Sequence, residues 1–259
     1  SVAAINLLLG RLLRARTVTC RRPSPIGTVY FDLALLPKVN WPRREKRNVV
    51  KILGIPNVIA PEKLDGRRNQ LEIDLKLPKC VRIGVLIGGE DRYHRITEQT
   101  AIGLINVLQR VALALKGQIL LTTSRRTPPM IAELISNQLS DVKICPILAV
   151  AGRKASIGHP TEAIIALSDL ILVTQDSFSM VCEAASSGRR VVILETDWKR
   201  PPCPKQDRAY AEIMRRASVD SCRIDGLEAR IQCGLSDCTP IAPLRDTEVA
   251  VEAVVRLLS

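Results

Sequence analysis

Most of the chain after residue 80 alternates between short apolar runs and longer amphipathic stretches, and this pattern limits the fold more than any other feature. Strands in a covered parallel sheet are apolar on both faces, and helices with one apolar stripe pack over those faces. The pattern therefore predicts an α/β fold whose C-terminal lobe is a Rossmann-like, doubly wound parallel sheet. The predicted strands are 81–87, 118–123, 142–146, 170–174 and 191–195, and the predicted helices are 98–115, 129–139, 160–166, 177–186, 206–216 and 247–258.

The first third of the chain shows a weaker version of the same pattern. It predicts a helix at 3–13 and short strands at 17–20, 32–36 and 48–53. These are fewer elements than a complete βα lobe needs, so we expect an incomplete N-terminal lobe at 1–78 and a C-terminal lobe at 79–259. The polar stretch 61–79 lacks clear periodicity and is expected to connect the lobes. The chain opens with Ser1 and without the order of a signal peptide, which leads us to expect an N-terminally shortened protein.

The basic charge of the chain is concentrated in its first third. Residues 1–78 contain 15 basic and 6 acidic residues, notably the arginines between 11 and 22 and the basic residues between Arg43 and Arg47, whereas the remainder contains 23 and 20. Such a surface attracts anionic partners, which include membrane phospholipids and phosphorylated substrates. Aromatic residues make up only 3% of the chain, so we expect no specific nucleic-acid partner. Each apolar run is too short or too interrupted to span a membrane.

The eight cysteines are scattered and form no CxxC pair. This spacing favours reduced thiols in a cytoplasmic protein over a disulfide framework or a zinc site. We therefore expect no metal site and no cofactor. The predicted location is the cytoplasm, with the basic first third peripheral to the inner membrane of a bacterium. The cysteines are Cys20, Cys80, Cys145, Cys182, Cys203, Cys222, Cys233 and Cys238.

In an open parallel sheet, ligands bind beyond the carboxyl ends of the strands, so the residues that follow each strand are the first candidates for a site. Gly88 and Gly89 follow the first strand and would let backbone amides approach a ligand closely; a tight turn is the alternative interpretation. Ser124, Arg125 and Arg126 follow the second strand and offer donors suited to phosphate. The alternative there is an ordinary capped helix with solvated arginines.

A third group of polar residues runs from a predicted strand into a predicted helix. Asp176, Ser177 and Ser179 lie at the start of that helix, where free amides and the helix dipole favour an anion. Glu183 lies four residues after Ser179 and shares its helical face. A carboxylate there can accept the hydroxyl groups of a ribose whose phosphates lie at the helix start. An exposed Glu183 on an ordinary capped helix is the alternative.

Candidate catalytic residues are fewer. The sequence contains no GxSxG, GxxxxGK[ST] or HExxH motif. His94 and Glu90 lie close enough to the glycine pair to act as a general base, and Asp91 competes with them for this role. A solvated loop residue is the alternative interpretation of His94.

Three strings resemble the mitochondrial fission Elm-type family: VLIGG (85–89), LTTSRRTP (121–128) and ALSDLILVTQDSFSMVCEA (166–184). Most members of this family are bacterial proteins of unsettled activity, and some have been labelled nucleoside-diphosphate-sugar epimerases. The resemblance implies a two-lobed glycosyltransferase-B-like (GT-B-like) fold, with the acceptor at the N-terminal lobe and the nucleotide sugar at the C-terminal lobe. The ligand positions it implies are Gly88, Gly89, Ser124, Arg125, Asp176, Ser177, Ser179 and Glu183.

Three functions remain open at this stage. The first is a metal-independent glycosyltransferase that binds a nucleotide-sugar donor. The second is an epimerase on the same scaffold, and the third is a non-catalytic adaptor at an anionic membrane surface. The plant branch of the resembled family recruits a fission dynamin to mitochondria, a role that needs no chemistry. For this chain a bacterial protein is the expectation.

Overall fold

The computed structural model describes residues 2–42, 44–153, 157–201 and 204–259. Arg43 and Cys203, named above among the basic residues and the cysteines, lie outside the described residues. Within the described ranges the helices are α1 (Val2–Leu12), α2 (Pro61–Asp74), α3 (Glu98–Leu115), α4 (Pro129–Gln138), α5 (Pro160–Leu167), α6 (Phe178–Ala185), α7 (Pro204–Ala217), α8 (Leu227–Ser236) and α9 (Asp246–Leu258). The strands are β1 (Val18–Thr19), β2 (Leu33–Leu36), β3 (Val49–Lys51), β4 (Arg82–Ile87), β5 (His94–Arg95), β6 (Gln118–Thr123), β7 (Ile147–Ala149), β8 (Leu170–Thr174), β9 (Arg190–Leu194), β10 (Asp197–Trp198) and β11 (Asp220–Cys222).

The chain forms two compact units. Unit 1 contains residues 1–58, 204–213 and 245–259, and unit 2 contains residues 59–203 and 214–244. In unit 1, β1, β2 and β3 form a parallel sheet in that order. Its core is small, with Leu33, Leu35, Ile52 and Ala250 buried together. Because Ala250 comes from α9, the end of the chain folds with its beginning.

Unit 2 is built on a six-stranded sheet in the order β11-β9-β8-β4-β6-β7, and all of these strands are parallel. The apolar strands β4 and β8 are buried along their whole length, as expected for a sheet that is covered on both faces. Helix α3 contributes its buried stripe to the same core as β4, β6 and β8. The predicted fold class, an α/β fold whose C-terminal part is a Rossmann-like parallel sheet, is confirmed. That the N-terminal lobe is incomplete stays a prediction.

One predicted strand is wrong. Residues 142–146 form a turn, in which the amides of Ile144 and Cys145 both donate to the carbonyl of Asp141. Val142 is 72% exposed, so its apolar character does not reflect a buried strand. The strand lies further along at β7, after Pro146, whose missing N–H prevents it from joining the ladder as a donor. The loop that follows this strand therefore begins after Ala149 and not after Pro146, as the prediction implied.

The polar stretch 61–79 is largely a helix, α2, where an irregular connection was expected. Pro61 occupies its first turn, where proline is tolerated because the N–H would be unpaired anyway. Only Leu64 and Leu71 are buried, one every seven residues. Such a narrow apolar stripe leaves too weak a periodicity to be read from the sequence. Arg68 and Glu72, four residues apart, form an ion pair along its surface.

Candidate functional site

The order of the strands identifies where a ligand site is expected in unit 2. Successive strands are added on one side of β4 as far as β7, and the chain then returns to add β8 on the other side. In doubly wound sheets, the loops at such a reversal diverge and leave a crevice at the carboxyl ends of the strands. The loops after β4 and β8 border this crevice, and the loop after β6 is adjacent. The first two predicted groups of site residues lie on these loops, and the third runs from the loop after β8 into α6.

Gly88 and Gly89 are required by close packing within the loops. The Gly88 amide donates to the Thr174 hydroxyl at 2.8 Å, and a Cβ on Gly88 would lie 2.0 Å from Oδ2 of Asp176. Gly89 has a φ of +131°, and its Cβ would meet the carbonyl oxygen of Arg126 at 2.3 Å. Only glycine fits both positions without displacement. The tight-turn interpretation therefore accounts for the pair, and ligand contact stays a prediction.

The loop after β6 is fixed to the loop after β4 by hydroxyl groups. The hydroxyls of Ser124 and Thr127 both donate to the carbonyl of Gly88, Thr127 at 2.8 Å. The Ser124 amide donates to the carbonyl of Ile87 at 2.8 Å. Arg125 and Arg126 are left exposed at the tip of this loop. The geometry thus presents two guanidinium groups beside the crevice on a loop that hydrogen bonds hold in place.

Arg126 links the loops of the crevice. Its Nη1 donates to the carbonyl of Glu90 at 2.9 Å and contacts the carbonyl of Asp176 at 3.5 Å. Its Nη2 lies 3.7 Å from Oδ2 of Asp176. These bonds use part of the guanidinium only, and the side chain is 44% exposed. Arg126 therefore keeps donors available for an anion in the crevice.

Asp176 is buried below the loop surface. Its side chain is fully buried, and neither carboxylate oxygen makes a hydrogen bond of normal geometry within the described residues. Burial raises the pKa of this carboxyl; the neighbouring Thr174 hydroxyl and the Arg126 guanidinium oppose part of the rise, while the charge of Asp91 adds to it. Because its oxygens lie against Gly88, Asp176 is arranged to position the loops. Its predicted contact with a ligand stays a prediction.

Helix α6 starts at the end of the β8 loop and places Ser179 and Glu183 on one face. Ser177 precedes the helix and is buried, with no capping bond from its side chain. Ser179 is exposed in the first turn. Glu183 is half-buried, makes no hydrogen bond or ion pair with another described residue, and has a pKa raised by burial. A partly desolvated carboxylate without a partner is a group that a ligand's hydroxyls can satisfy.

His94 and Glu90 belong to a small structure that sequence reasoning missed. Strands β5 and β10 pair in an antiparallel manner, and we call residues 94–95 with 197–198 the β5–β10 clip. His94 is 1% exposed, and the centroid of its ring lies 4.4 Å from that of the Trp198 ring. Asp91 Oδ1 lies 3.1 Å from His94 Nδ1, whereas His94 Nε2 is buried without a partner in the described chain.

Glu90 is paired across the base of the same clip. Its Oε2 lies 2.6 Å from the Nζ of Lys199, and the amide of Lys199 donates to the carbonyl of Tyr93. Two-residue strands leave no periodic signal, so no local pattern could have joined residues 94–95 to 197–198. The catalytic roles predicted for His94 and Glu90 remain predictions.

A hollow of about 250 Å³ lies at the same edge of the sheet, at the ends of β6 and β7. Thr122, Thr123, Ala151 and Arg153 contribute to its lining, together with the start of α5. The Thr123 hydroxyl accepts the Ala151 amide at 3.0 Å, which fixes the rim. Placing the strand at 142–146 hid this hollow at the sequence level, because the loop that forms it follows β7.

Two further findings concern the described residues as a set. No group of three or more His, Cys, Asp and Glu side chains among them is arranged to hold a metal ion. No helix in the described part of the chain is long and apolar enough to cross a membrane.

Comparison with known proteins gives one family and several similar structures. Residues 2–258 match the family described as "Mitochondrial fission ELM1". An uncharacterized protein of Rickettsia prowazekii (strain Madrid E) is 28% identical over 109 residues, which are 42% of this chain and 30% of that protein. The match thus spans less than a third of that relative.

Among solved structures, the UDP-GlcNAc 2-epimerase of Neisseria meningitidis, bound to UDP-GlcNAc, aligns with a TM-score of 0.58 and 13% identity, covering 97% of this chain and 72% of that one. MurG of Acinetobacter baumannii aligns with a TM-score of 0.46 and 16% identity, covering 98% of this chain and 66% of that one. The likeness to the epimerase shows a GT-B-like α/β fold.

Proposed function

We propose that this chain, which belongs to the mitochondrial fission ELM1 family, binds a nucleotide-sugar donor in the crevice of unit 2 and acts as a metal-independent glycosyltransferase. The observation that carries the proposal is Glu183, a half-buried carboxylate with no partner among the described residues. It lies on the same face as Ser179, one turn after the free amides at the start of α6. Glu183 would accept the ribose hydroxyls while the diphosphate lies at those amides.

Positive groups around the crevice support a diphosphate leaving group. Arg125 and Arg126 are exposed beside the crevice, and the amides of the first turn of α6 add the positive end of the helix dipole. Fixed donors that face a developing charge stabilise the transition state without a metal. In this proposal Asp176 positions Arg126 and the Gly88 loop from below. The nucleobase of the donor would occupy the hollow at the ends of β6 and β7.

A ligand screen tests the binding step. Thermal shift and calorimetry with UDP-, GDP-, ADP- and CDP-sugars are expected to identify one nucleotide that binds, and Glu183→Ala is expected to weaken its binding about tenfold or more. Glu133→Ala is the matched control, because Glu133 is exposed on α4 and should leave affinity unchanged. Equal affinity of Glu183→Ala and the parent would refute the ribose assignment. Absence of binding by every nucleotide would refute the function.

The reaction is tested separately from binding. A glycosyltransferase needs an acceptor, whereas an epimerase converts the donor sugar alone, so product analysis with and without a cell-extract acceptor fraction separates the two. We include His94 and Glu90 in this proposal as the groups that move a proton. His94→Gln and Glu90→Gln are expected to lower turnover while leaving nucleotide affinity within about twofold. The assignment of 1–78 to the acceptor and 79–259 to the donor belongs to the same proposal.

A second candidate function is attachment to an anionic membrane surface, and helix α1 favours it. Val2, Ile5 and Leu12 are each more than half exposed on this helix, and the arginines at 11, 14, 16, 21 and 22 lie on it or shortly after it. Apolar side chains beside arginines are the composition of interfacial helices. Co-sedimentation with phosphatidylglycerol vesicles, lost at high salt and absent with phosphatidylcholine alone, would support it; equal recovery with both lipids would contradict it.

The proposed location follows from the same hypotheses. The cysteines of the described residues are free thiols, as is usual in a reducing compartment. We propose that the protein works in the bacterial cytoplasm, peripheral to the inner membrane.

A further inference from the structure

A second polar hollow lies at the opposite edge of the unit 2 sheet from the crevice. Its volume is about 340 Å³, and Arg189, Arg190, Asp169 and the segment 237–241 contribute to its lining. Arg190 is the first residue of β9, whereas the crevice lies at the carboxyl edge, so a five-residue strand of roughly 16 Å separates the two edges. We call this site the amino-edge hollow.

The amino-edge hollow contains buried donors that lack acceptors. The Nε–H groups of Arg189 and Arg190 are both buried, and neither makes a hydrogen bond within the described residues. The Arg190 side chain is 8% exposed, so bulk water does not solvate it fully. Buried N–H groups of charged side chains almost always have an acceptor, either from the protein or from a bound molecule. The two groups belong to adjacent residues that both line the hollow, so an acceptor bound there would supply the hydrogen bonds that they lack.

The other hydrogen bonds of the two arginines show which arginine can turn its donors to a ligand. Arg190 is held firmly, because its Nη1 lies 3.0 Å from Asp237 Oδ2 and its Nη2 donates to the carbonyls of Asp237 and Thr239, each at 3.0 Å. Within the described part of the chain, the Arg189 side chain has one such bond, from Nη2 to Asp65 Oδ1 at 2.7 Å. Asp65 is 82% exposed, and an exposed ion pair of this kind is weak.

Three aspartates, Asp65, Asp169 and Asp237, balance the positive charge of the arginines around the hollow. Asp169 is occupied by Arg68 at 2.8 Å and by the Arg82 amide at 2.8 Å, and Asp237 by Arg190. Asp65 is the most exposed of these acidic partners, so its bond to Arg189 is the one with which an added anion would compete most readily. Guanidinium groups with several free N–H donors match the oxygens of phosphate, which accept from two directions at once.

We propose that the amino-edge hollow binds a phosphate group, as inorganic phosphate or a small phosphate monoester, through Arg189 and the Nε–H of Arg190. The site is separate from the nucleotide crevice and uses none of its residues. In this site, the bound phosphate competes with the Asp65 carboxylate for Arg189. This competition predicts opposite effects for changes on the two sides of one ion pair, which a purely structural role for Arg189 does not.

Side-chain NMR of the whole chain tests the proposal. Arginine Nε–H resonances are followed while inorganic phosphate is added, with sodium chloride at equal ionic strength as the reference. We expect two Nε–H signals to shift saturably with phosphate and not with chloride. Glycerol 1-phosphate in a parallel titration distinguishes the sources, because a monoester site binds it at least as tightly as phosphate, whereas a free-phosphate site binds it more weakly.

Three variants make the test specific. Arg189→Gln is expected to weaken phosphate binding about tenfold, and Asp65→Asn to tighten it about threefold because Arg189 is released. Arg110→Gln is the matched control, since Arg110 is also paired at the surface of unit 2, with Glu228. No saturable shift, or equal effects of Arg189→Gln and Arg110→Gln, would overturn the proposal, as would weaker binding by Asp65→Asn.

Failure of this proposal and failure of the proposed function are distinguishable. Phosphate binding at the hollow should be unchanged in Glu183→Ala, because Glu183 lies outside it. Loss of the phosphate shifts in Glu183→Ala would show that phosphate binds in the crevice and would overturn the second site.

Discussion

A carboxylate that loses water without gaining a cation has a raised pKa, and Glu183, which has no cationic partner among the described residues, is such a group. Its ionised form is the one that accepts hydrogen bonds from two ribose hydroxyls. Its environment therefore joins two properties that can be measured together, the affinity for a nucleotide and the dependence of that affinity on pH.

We expect nucleotide affinity to fall as pH is lowered from 7.5 to 5. Burial raises the pKa of Glu183 above its usual 4.5, so protonation begins nearer neutrality than for an exposed glutamate, and the protonated carboxyl loses an acceptor. Glu183→Gln should bind weakly and lose this pH dependence. Calorimetry at several pH values measures both, with Glu133→Gln as the control. A parent and a Glu183→Gln protein with the same pH profile would contradict the expectation.

Asp176 is the other residue whose charge state the fold controls. Burial raises the pKa of its carboxyl in the folded protein above the usual 3.8. The folded state therefore holds this proton more tightly than the unfolded state, and stability falls as pH rises through the window above 3.8. The ionised form at neutral pH is a cost to folding that Arg126 offsets only in part.

Asp176→Asn is expected to stabilise the protein at pH 7 by about 1 kcal/mol, because it removes a buried charge with little change in shape. The gain should shrink as pH falls toward the usual carboxyl pKa of 3.8, because the raised pKa of Asp176 favours its protonated form in that range. Thermal or urea unfolding at pH 7 and pH 4 measures this difference. Asp225→Asn, at an exposed position, is the control. A loss of stability at pH 7 would show that the Arg126 pair outweighs burial.

At the scale of elements, the β5–β10 clip joins the loop after β4 to the loop after β9. Asp197 accepts hydrogen bonds from the Thr97 and Thr100 hydroxyls at 2.7 and 2.8 Å. Although partial burial acts in the opposite direction, these bonds hold the pKa of Asp197 below its usual value. The clip is thereby tied to the start of α3, where Thr97 also accepts the Thr100 amide.

Trp198→Ala is expected to open the clip at His94. The Trp198 ring covers His94, which is 1% exposed, and losing this contact should cost about 1 kcal/mol of stability. Modification by diethyl pyrocarbonate measures access to His94. His159 is exposed in the parent and serves as the internal control, with the same reactivity in both proteins. Unchanged reactivity of His94 would show that other residues cover it.

At the scale of the whole molecule, helix α9 belongs to the same unit as the first strands of the chain. Asp246, at the start of α9, is buried and accepts the amides of Leu53 at 2.8 Å and Gly54 at 2.6 Å. Thr247 accepts the Asn57 amide and donates to the Asn57 carbonyl. These bonds fix α9 to the end of the β3 segment, over the small core of unit 1.

Asp246→Ala is expected to destabilise unit 1 by about 2–4 kcal/mol, because two buried amides lose a charged acceptor. Unit 2 has its own, larger core, so its protection should persist. Hydrogen exchange followed by mass spectrometry reports residues 2–58 and 245–259 separately from 80–200. Glu252→Gln, at an exposed position on the same helix, should change neither. Equal loss of protection in both units would show that they unfold together.

The apolar periodicity of the chain was enough to predict the parallel sheet of unit 2, because β4, β6 and β8 are buried on both faces and α3 has a full apolar stripe. It misplaced the strand near residue 145 and missed α2. The strand was misplaced because Val142 is apolar but exposed. Helix α2 was missed because only Leu64 and Leu71 form its buried stripe. Short-range pattern determines an element only where most of its face is buried.

The sequence by itself determined which loops carry the candidate site, since Gly88, Ser124 and Asp176 each follow a strand whose direction is shared. The tertiary structure alone decided their surroundings. It buries Asp176 against Gly88, leaves Glu183 without a partner in the described chain, covers His94 with a residue more than 100 positions away, and gathers Arg189 and Arg190 in the amino-edge hollow. Burial and partnership depend on segments distant along the chain, so local spacing cannot encode them.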